Sequence, residues 1–313
     1  MDITKAKAWF FLFRPWSYAA TLVPFLAALA IVSPSHGMVR WWAGLTAGIL
    51  FQATVNLLNT WGDERSGVDD APGAIRSTPQ VHDGTISMKA VLIAAIICAT
   101  FAAVIGLSLC LYAENGQWNI SWPLLLTGVI GFLGATNYST GIKFKYIGLG
   151  VPFVAFLMGT LEIAASICIL RPADATSALT PELAVLSIPI ASLVCVIMHG
   201  NDMRDIRSDR AAGIRTCASM AGPKGALAIY WGCHLLPYAV CSMLVVEYGR
   251  MMLIPFFALP LTRRTLVRAT RVYIECPNDP HWIRLERASG GIHLVFGILY
   301  ALALRLTVYS CDI

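Results

Sequence analysis

HGNDMRDIRSDRAAGIRT, residues 199–216, sets three aspartates and four arginines directly behind a long apolar run. Asp205 and Asp209 are four residues apart, so on a helix their carboxylates share one face, and Asp202 falls on the same side one turn earlier. Carboxylates so placed repel one another unless a cation sits between them. A second stretch, NLLNTWGDERSGVDD at residues 56–70, also closes an apolar run and repeats the four-residue spacing at Asn59 and Asp63. Oxygen-only donors suit a hard cation. Magnesium held by few carboxylates keeps positions open for substrate phosphate oxygens, so magnesium with a diphosphate is the expectation. The competing reading is that these acids and arginines pair with each other in solvated loops.

The 313 residues are 57% hydrophobic and only 13% charged, with a mean hydropathy of +0.66, far more apolar than an ordinary soluble domain. The chain reads as a polytopic, all-α membrane protein, because in lipid each segment must satisfy its own backbone. Nine spans are expected, at 18–32, 41–60, 88–113, 122–137, 149–170, 183–198, 225–246, 251–266 and 290–308. One transmembrane domain covers 1–313, entered by an interfacial amphipathic helix over 1–15. Aspartate-rich cap loops are expected over 61–87 and 199–224. With this layout 19 of the 23 lysines and arginines fall on one side, together with both aspartate stretches. The positive-inside rule makes that side cytoplasmic.

Several uses of these residues are disfavoured. The arginines interleave with acids beside lipid-spanning helices, which argues against a nucleic-acid surface. No GxxxxGK[ST] loop argues for ATP. Nine cysteines without CxxC pairs read as small core residues. The N-terminal stretch has no clear cleavage site, so the first span is expected to stay. Glu162 inside span five is costly in lipid and should face the bundle interior, for structural pairing or for substrate.

A diphosphate gripped between two carboxylate faces through magnesium becomes a better leaving group, since charge developing on its bridging oxygen is neutralised in place. Lys143, Lys145 and some of the arginines are candidates for charge-assisted hydrogen bonds to the phosphates, although topology alone also accounts for such cations. The attached group would extend into an apolar bundle, which favours a lipid chain over a nucleotide.

These stretches resemble the UbiA superfamily of intramembrane prenyltransferases, nine-helix bundles with two aspartate-rich motifs. Asn56-x-x-Asn59-Thr60-x-x-Asp63-x-x-x-Gly67-x-Asp69, Tyr138-Ser-Thr-Gly141-Ile-Lys143-Phe-Lys145-Tyr146 and Asn201-Asp202-x-Arg204-Asp205-x-x-x-Asp209-x-x-Ala212-Gly213-x-x-Thr216 look like its MenA-like branch. The resemblance implies transfer of a polyprenyl group from its diphosphate to an aromatic acceptor, 1,4-dihydroxy-2-naphthoate or a related naphthoquinol on the way to menaquinone. It implies magnesium at Asn59, Asp63, Asp205 and Asp209, and the diphosphate at Lys143, Lys145 and Arg204. Tyr138 would lie by the allylic carbon, and Asn56, Asp69, Asn201 and Asp202 would complete the polar chamber. The sequence departs from the pattern at Thr60, where many members have Asp, and at Ile214, a frequent Lys. A UbiA-type terpene cyclase would use the same metal site without an acceptor. A lipid-diphosphate glycosyl transferase would need more hydroxyl partners than the sequence offers. An ion-coupled transporter would place its acids near the midplane rather than at one face.

Overall fold

A computed structural model describes residues 3–65, 78–138, 141–178, 180–275 and 283–311. Helix α1 (Ile3–Phe13) and a short 3₁₀ turn (Pro15–Tyr18) lead into α2 (Ala19–Ile31), followed by α3 (Met38–Arg65), α4 (Pro79–His82) and α5 (Met88–Cys110). A hairpin of β1 (Leu111–Glu114) and β2 (Gln117–Ile120) precedes α6 (Trp122–Thr136). After a 3₁₀ turn at Phe144–Ile147 the chain runs through α7 (Gly150–Val154), a π-helical segment (Ala155–Leu161) and α8 (Glu162–Leu170) as one span. Then come α9 (Pro181–Arg204), α10 (Ile206–Ala211), α11 (Cys217–Tyr248), α12 (Leu259–Glu275) and α13 (Ile283–Cys311). Among the described residues five stretches are long and apolar enough to cross a membrane: Met88–Cys110, Gly150–Leu170, Pro181–Arg204, Cys217–Tyr248 and Leu285–Thr307, with the shorter apolar α6 beside them.

Four expectations are revised. Span three stops at Cys110, because Asn115 and Gly116 both adopt positive φ and close a tight hairpin that pairs Leu111 with Ile120. The first cap loop begins late: α3 continues unbroken to Arg65, so Asp63 projects from a helix. The second is mostly not a loop either, since α9 carries residues up to Arg204, α10 takes over at Ile206, and α11 opens at Cys217. The eighth expected span, 251–266, is a 3₁₀ stretch (Arg250–Ala258) feeding the amphipathic α12. On α12, Thr262, Thr265, Leu266 and Ala269 are buried while Arg263, Arg264, Arg268 and Arg271 are exposed, so one face at helical spacing packs inward and the other carries the arginines.

The main core joins α2, α9, α11 and α13 around Phe296, Tyr300, Leu193 and Tyr230. Close approach is bought by small residues: a Cβ on Gly297 would stand 2.3 Å from Val23, and one on Gly159 would stand 2.4 Å from the Ala191 Cβ. The second contact seats the π segment on α9. A smaller core fastens α1 to α3, α4 and α5 through Leu12, Leu57, Val81 and Val91. Cys98, Cys110, Cys168, Cys195, Cys217, Cys233 and Cys241 are free, and all of these but Cys217 and Cys233 are buried.

Candidate active site

An apolar cavity of about 540 Å³ opens between α2, α3, α5, α6, the α7–α8 span and α9. Its wall follows α3 from Gly44 to Asn59, about 22 Å at helical rise. Phe25, Leu124, Leu157 and Ile169 line the body. One end is polar, lined by Arg14, Ser17, Asn56, Asn59, Tyr138, Asn201 and Glu286. Glu162 does face the interior, against the cavity wall at Gly48 with Thr21 as its hydrogen-bond partner.

The first aspartate ledge is the last two turns of α3. Asp63 receives Lys145 Nζ at 3.1 Å on each oxygen and the Tyr146 hydroxyl at 2.5 Å on Oδ1. Burial alone would pull the Lys145 ammonium down; Asp63 above all, with Tyr146, Tyr138 and Asp202, holds it well above its ordinary value. Lys145 is delivered by backbone pairing across the 138–145 turn, its N–H donating to the Tyr138 carbonyl at 3.0 Å. Lys143 behaves differently. It is exposed, with its ammonium 5.6 Å from the Tyr146 ring centroid and away from the carboxylates. Tyr138 is buried, which pushes its phenol up and keeps it an O–H donor.

The second ledge spans the α9–α10 junction. Arg204 grips its neighbour Asp205 through two parallel bonds, Nε to Oδ1 at 2.7 Å and Nη2 to Oδ2 at 2.6 Å, and reaches Asn201 Oδ1 at 3.4 Å. Asp202 is buried one turn before. Asp209 accepts the Thr216 hydroxyl at 3.0 Å, and that same hydroxyl caps α11 by accepting from Ser219 N–H. Burial, and then the charge of Asp205, push the Asp209 carboxyl up to about 7, with Asp63 adding to the push and Lys145 opposing it. The ledges therefore feel each other. The Tyr146 carbonyl, which accepts Arg215 N–H at 3.2 Å, ties the Lys145 turn to the second ledge directly.

Among the described residues no three His, Cys, Asp or Glu side chains already converge as a metal cage. Asp63 and Asp205 instead hold Lys145 and Arg204. The donor set still fits a hard divalent cation: it is all oxygen, and Asp209, pushed up first by burial and then by the Asp205 charge, is a carboxyl that a cation would favour as the anion. Asp69 and Gly67 lie outside the described residues. Asn56 is largely committed to structure, its amide donating to the Phe13 carbonyl and to Ser17 Oγ, both at 2.9 Å. Thr60 donates back to the Asn56 carbonyl. Tyr146, Arg14, Ser17 and Glu286 were not singled out from the sequence. Tyr146 lay inside a quoted motif, whereas Glu286 falls among arginines ahead of the ninth expected span, with no spacing signal of its own.

Arg14 occupies the left-handed region, φ 49° and ψ 57°, immediately before Pro15. Strain of this kind, of order 1–3 kcal/mol, persists only where the surroundings enforce it. Here Asn56 holds the turn from α3, and Trp16 holds it from α13 by donating its indole N–H to Glu286 at 3.3 Å. The Arg287 guanidinium covers the Trp16 ring at 4.5 Å.

The sequence pattern of the UbiA prenyltransferase family matches residues 21–286. Human UbiA prenyltransferase domain-containing protein 1 is 27% identical over 305 residues, covering 96% of this chain and 84% of its own, and the Drosophila melanogaster homolog is 27% identical over 307 residues, covering 96% and 79%. These relatives carry that description rather than one of the MenA-like branch. Among solved structures, a UbiA homolog from Archaeoglobus fulgidus bound to GPP and Mg2+ superposes with a TM-score of 0.63 at 16% identity, over 96% of this chain and 99% of that one. With apolar spans, paired ledges and a cavity between them, the chain is a multi-pass membrane protein and belongs to the UbiA prenyltransferase family.

Proposed function

We propose that this prenyltransferase moves a prenyl group from an isoprenoid diphosphate to an aromatic acceptor, with a dihydroxynaphthoate or naphthoquinol of menaquinone biosynthesis as the favoured acceptor, in one transmembrane unit over residues 1–313. The observation that carries it is the junction of a charged gap with a greasy cavity, Asp63, Lys145, Asp202 and Asp209 lying where Asn59, Tyr138 and Asn201 close the cavity's polar end.

Asn59, Asp63, Asp205 and Asp209 would hold magnesium, which when bound neutralises charge on the departing diphosphate. Lys145 and Arg204 are already charged and pre-placed, so an arriving diphosphate exchanges carboxylate partners for phosphate ones. Tyr138 presents a phenol at the point where the allylic carbon enters the cavity, and the apolar wall keeps water from the cation formed there. The basic-residue bias puts both ledges on the cytoplasmic side.

The test is incubation of the chain in membranes with a panel of prenyl diphosphates, with and without 1,4-dihydroxy-2-naphthoate, followed by mass spectrometry. A prenylated ring formed only with magnesium and acceptor is expected. A cyclic terpene formed from the diphosphate alone would overturn the acceptor half of the reading.

A further inference from the structure

Alkylation of an aromatic ring also needs a place for the proton that the ring gives up. The allylic C–O bond breaks with its electron pair on the diphosphate, and a ring π pair forms the new C–C bond. The alkylated carbon must then release its proton while the C–H electrons return to the ring. A base at the cavity's polar end, separate from the diphosphate site, would receive that proton.

Resting on the acceptor reading above, we propose that Glu286 is this base and that Glu286, Arg14 and Ser17 form the seat of a hydroxylated aromatic acceptor. All three line the polar end of the cavity. Glu286 is 7% exposed, with that residual surface in the cavity wall. It stands against the second ledge: a Cβ on Gly200, next to Asn201, would lie 3.9 Å from the Glu286 backbone nitrogen. One of its oxygens accepts the Trp16 indole, which aims the carboxylate without neutralising it. Among the described residues the hydrogen-bond partner of this buried acid is an uncharged donor, which packing alone explains poorly. Asn56 and Trp16 fix the Phe13–Ser17 turn from two sides, so Arg14 and Ser17 are presented on a rigid rim.

The experiment separates base from clasp. In Glu286→Gln the amide oxygen can still accept the Trp16 indole, so the fold and magnesium-dependent binding of a prenyl diphosphate should match wild type. Transfer to the aromatic acceptor should fall by roughly 100-fold or more, the usual worth of a positioned base. A deuterium isotope effect should also appear when the acceptor is labelled at the alkylated carbon. Trp16→Phe removes the clasp and keeps the base, and Glu286→Asp should recover part of the rate. If Glu286→Gln transfers at the wild-type rate, or if Trp16→Phe reproduces its loss with no isotope effect in either variant, Glu286 is not the base. Failure of the wild-type chain to prenylate any aromatic would sink the acceptor reading instead, a result distinguishable from both.

Discussion

The two aspartate ledges share a spacing and differ in wiring. On α3, Asp63 is neutralised from a distant segment by Lys145 and Tyr146, which arrive on the turn after α6. At the α9–α10 junction, Asp205 is neutralised by the residue beside it, Arg204, and Asp209 leans on the Thr216 hydroxyl seven positions on. The first ledge is therefore complete only when two distant parts of the chain are assembled, whereas the second is largely preset by local sequence. A resemblance between the halves at the level of spacing hides two different ways of holding charge.

Substitutions can break that contrast. The largest effect is expected for Asp63→Ala and Asp209→Ala, each losing at least about 100-fold in kcat/KM, because each removes an anchor for charge on the leaving group. Turnover near wild type by either variant in purified membranes would undo the shared role of the ledges. Lys145→Ala should come next, roughly 10-fold or more in kcat/KM with most of the change in donor KM, as a charge-assisted bond is lost. A double-mutant cycle of Lys145 with Asp63 should show strong coupling, while Lys145 with Arg204 should be closer to additive. Tyr146→Phe removes one short hydrogen bond to Asp63 and should cost about 3- to 10-fold. Lys143→Ala should change donor kinetics by less than about 2-fold, since an exposed lysine is a weakly worth partner. Equal losses for Lys143 and Lys145 would mean that the turn rearranges on binding.

The four-residue spacing singled out Asn59 and Asp63, which do share the helix α3, and Asp205 and Asp209, where the expected single helix is instead broken at Asp205 between α9 and α10. The apolar runs likewise marked the spans confirmed at α5, α9, α11 and α13. The hairpin was missed although Asn115-Gly116 is a strong turn signal, because apolar residues continue past Cys110 and read as more helix. Span eight reads as one apolar run, but the structure divides it between the 3₁₀ stretch Arg250–Ala258 and the start of α12, whose exposed face carries arginines. Glu286 and Arg14 escaped because they meet the cavity only through packing of the chain's two ends, which no local spacing encodes.

The π-helical segment Ala155–Leu161 shifts helical phase midway through its span. It joins Val151 and Val154 before it to Ile163 and Ile167 after it, all four buried, with a change of helical phase between them. Removing one residue from it would let the span become uniformly α-helical and rotate one half against the other by about 100°. Gly150, whose added Cβ would lie 3.3 Å from the Tyr138 hydroxyl, would then swing away from that phenol. A single deletion in this uncharged segment would thus retune the reaction chamber, and length in this segment is under tighter constraint than composition.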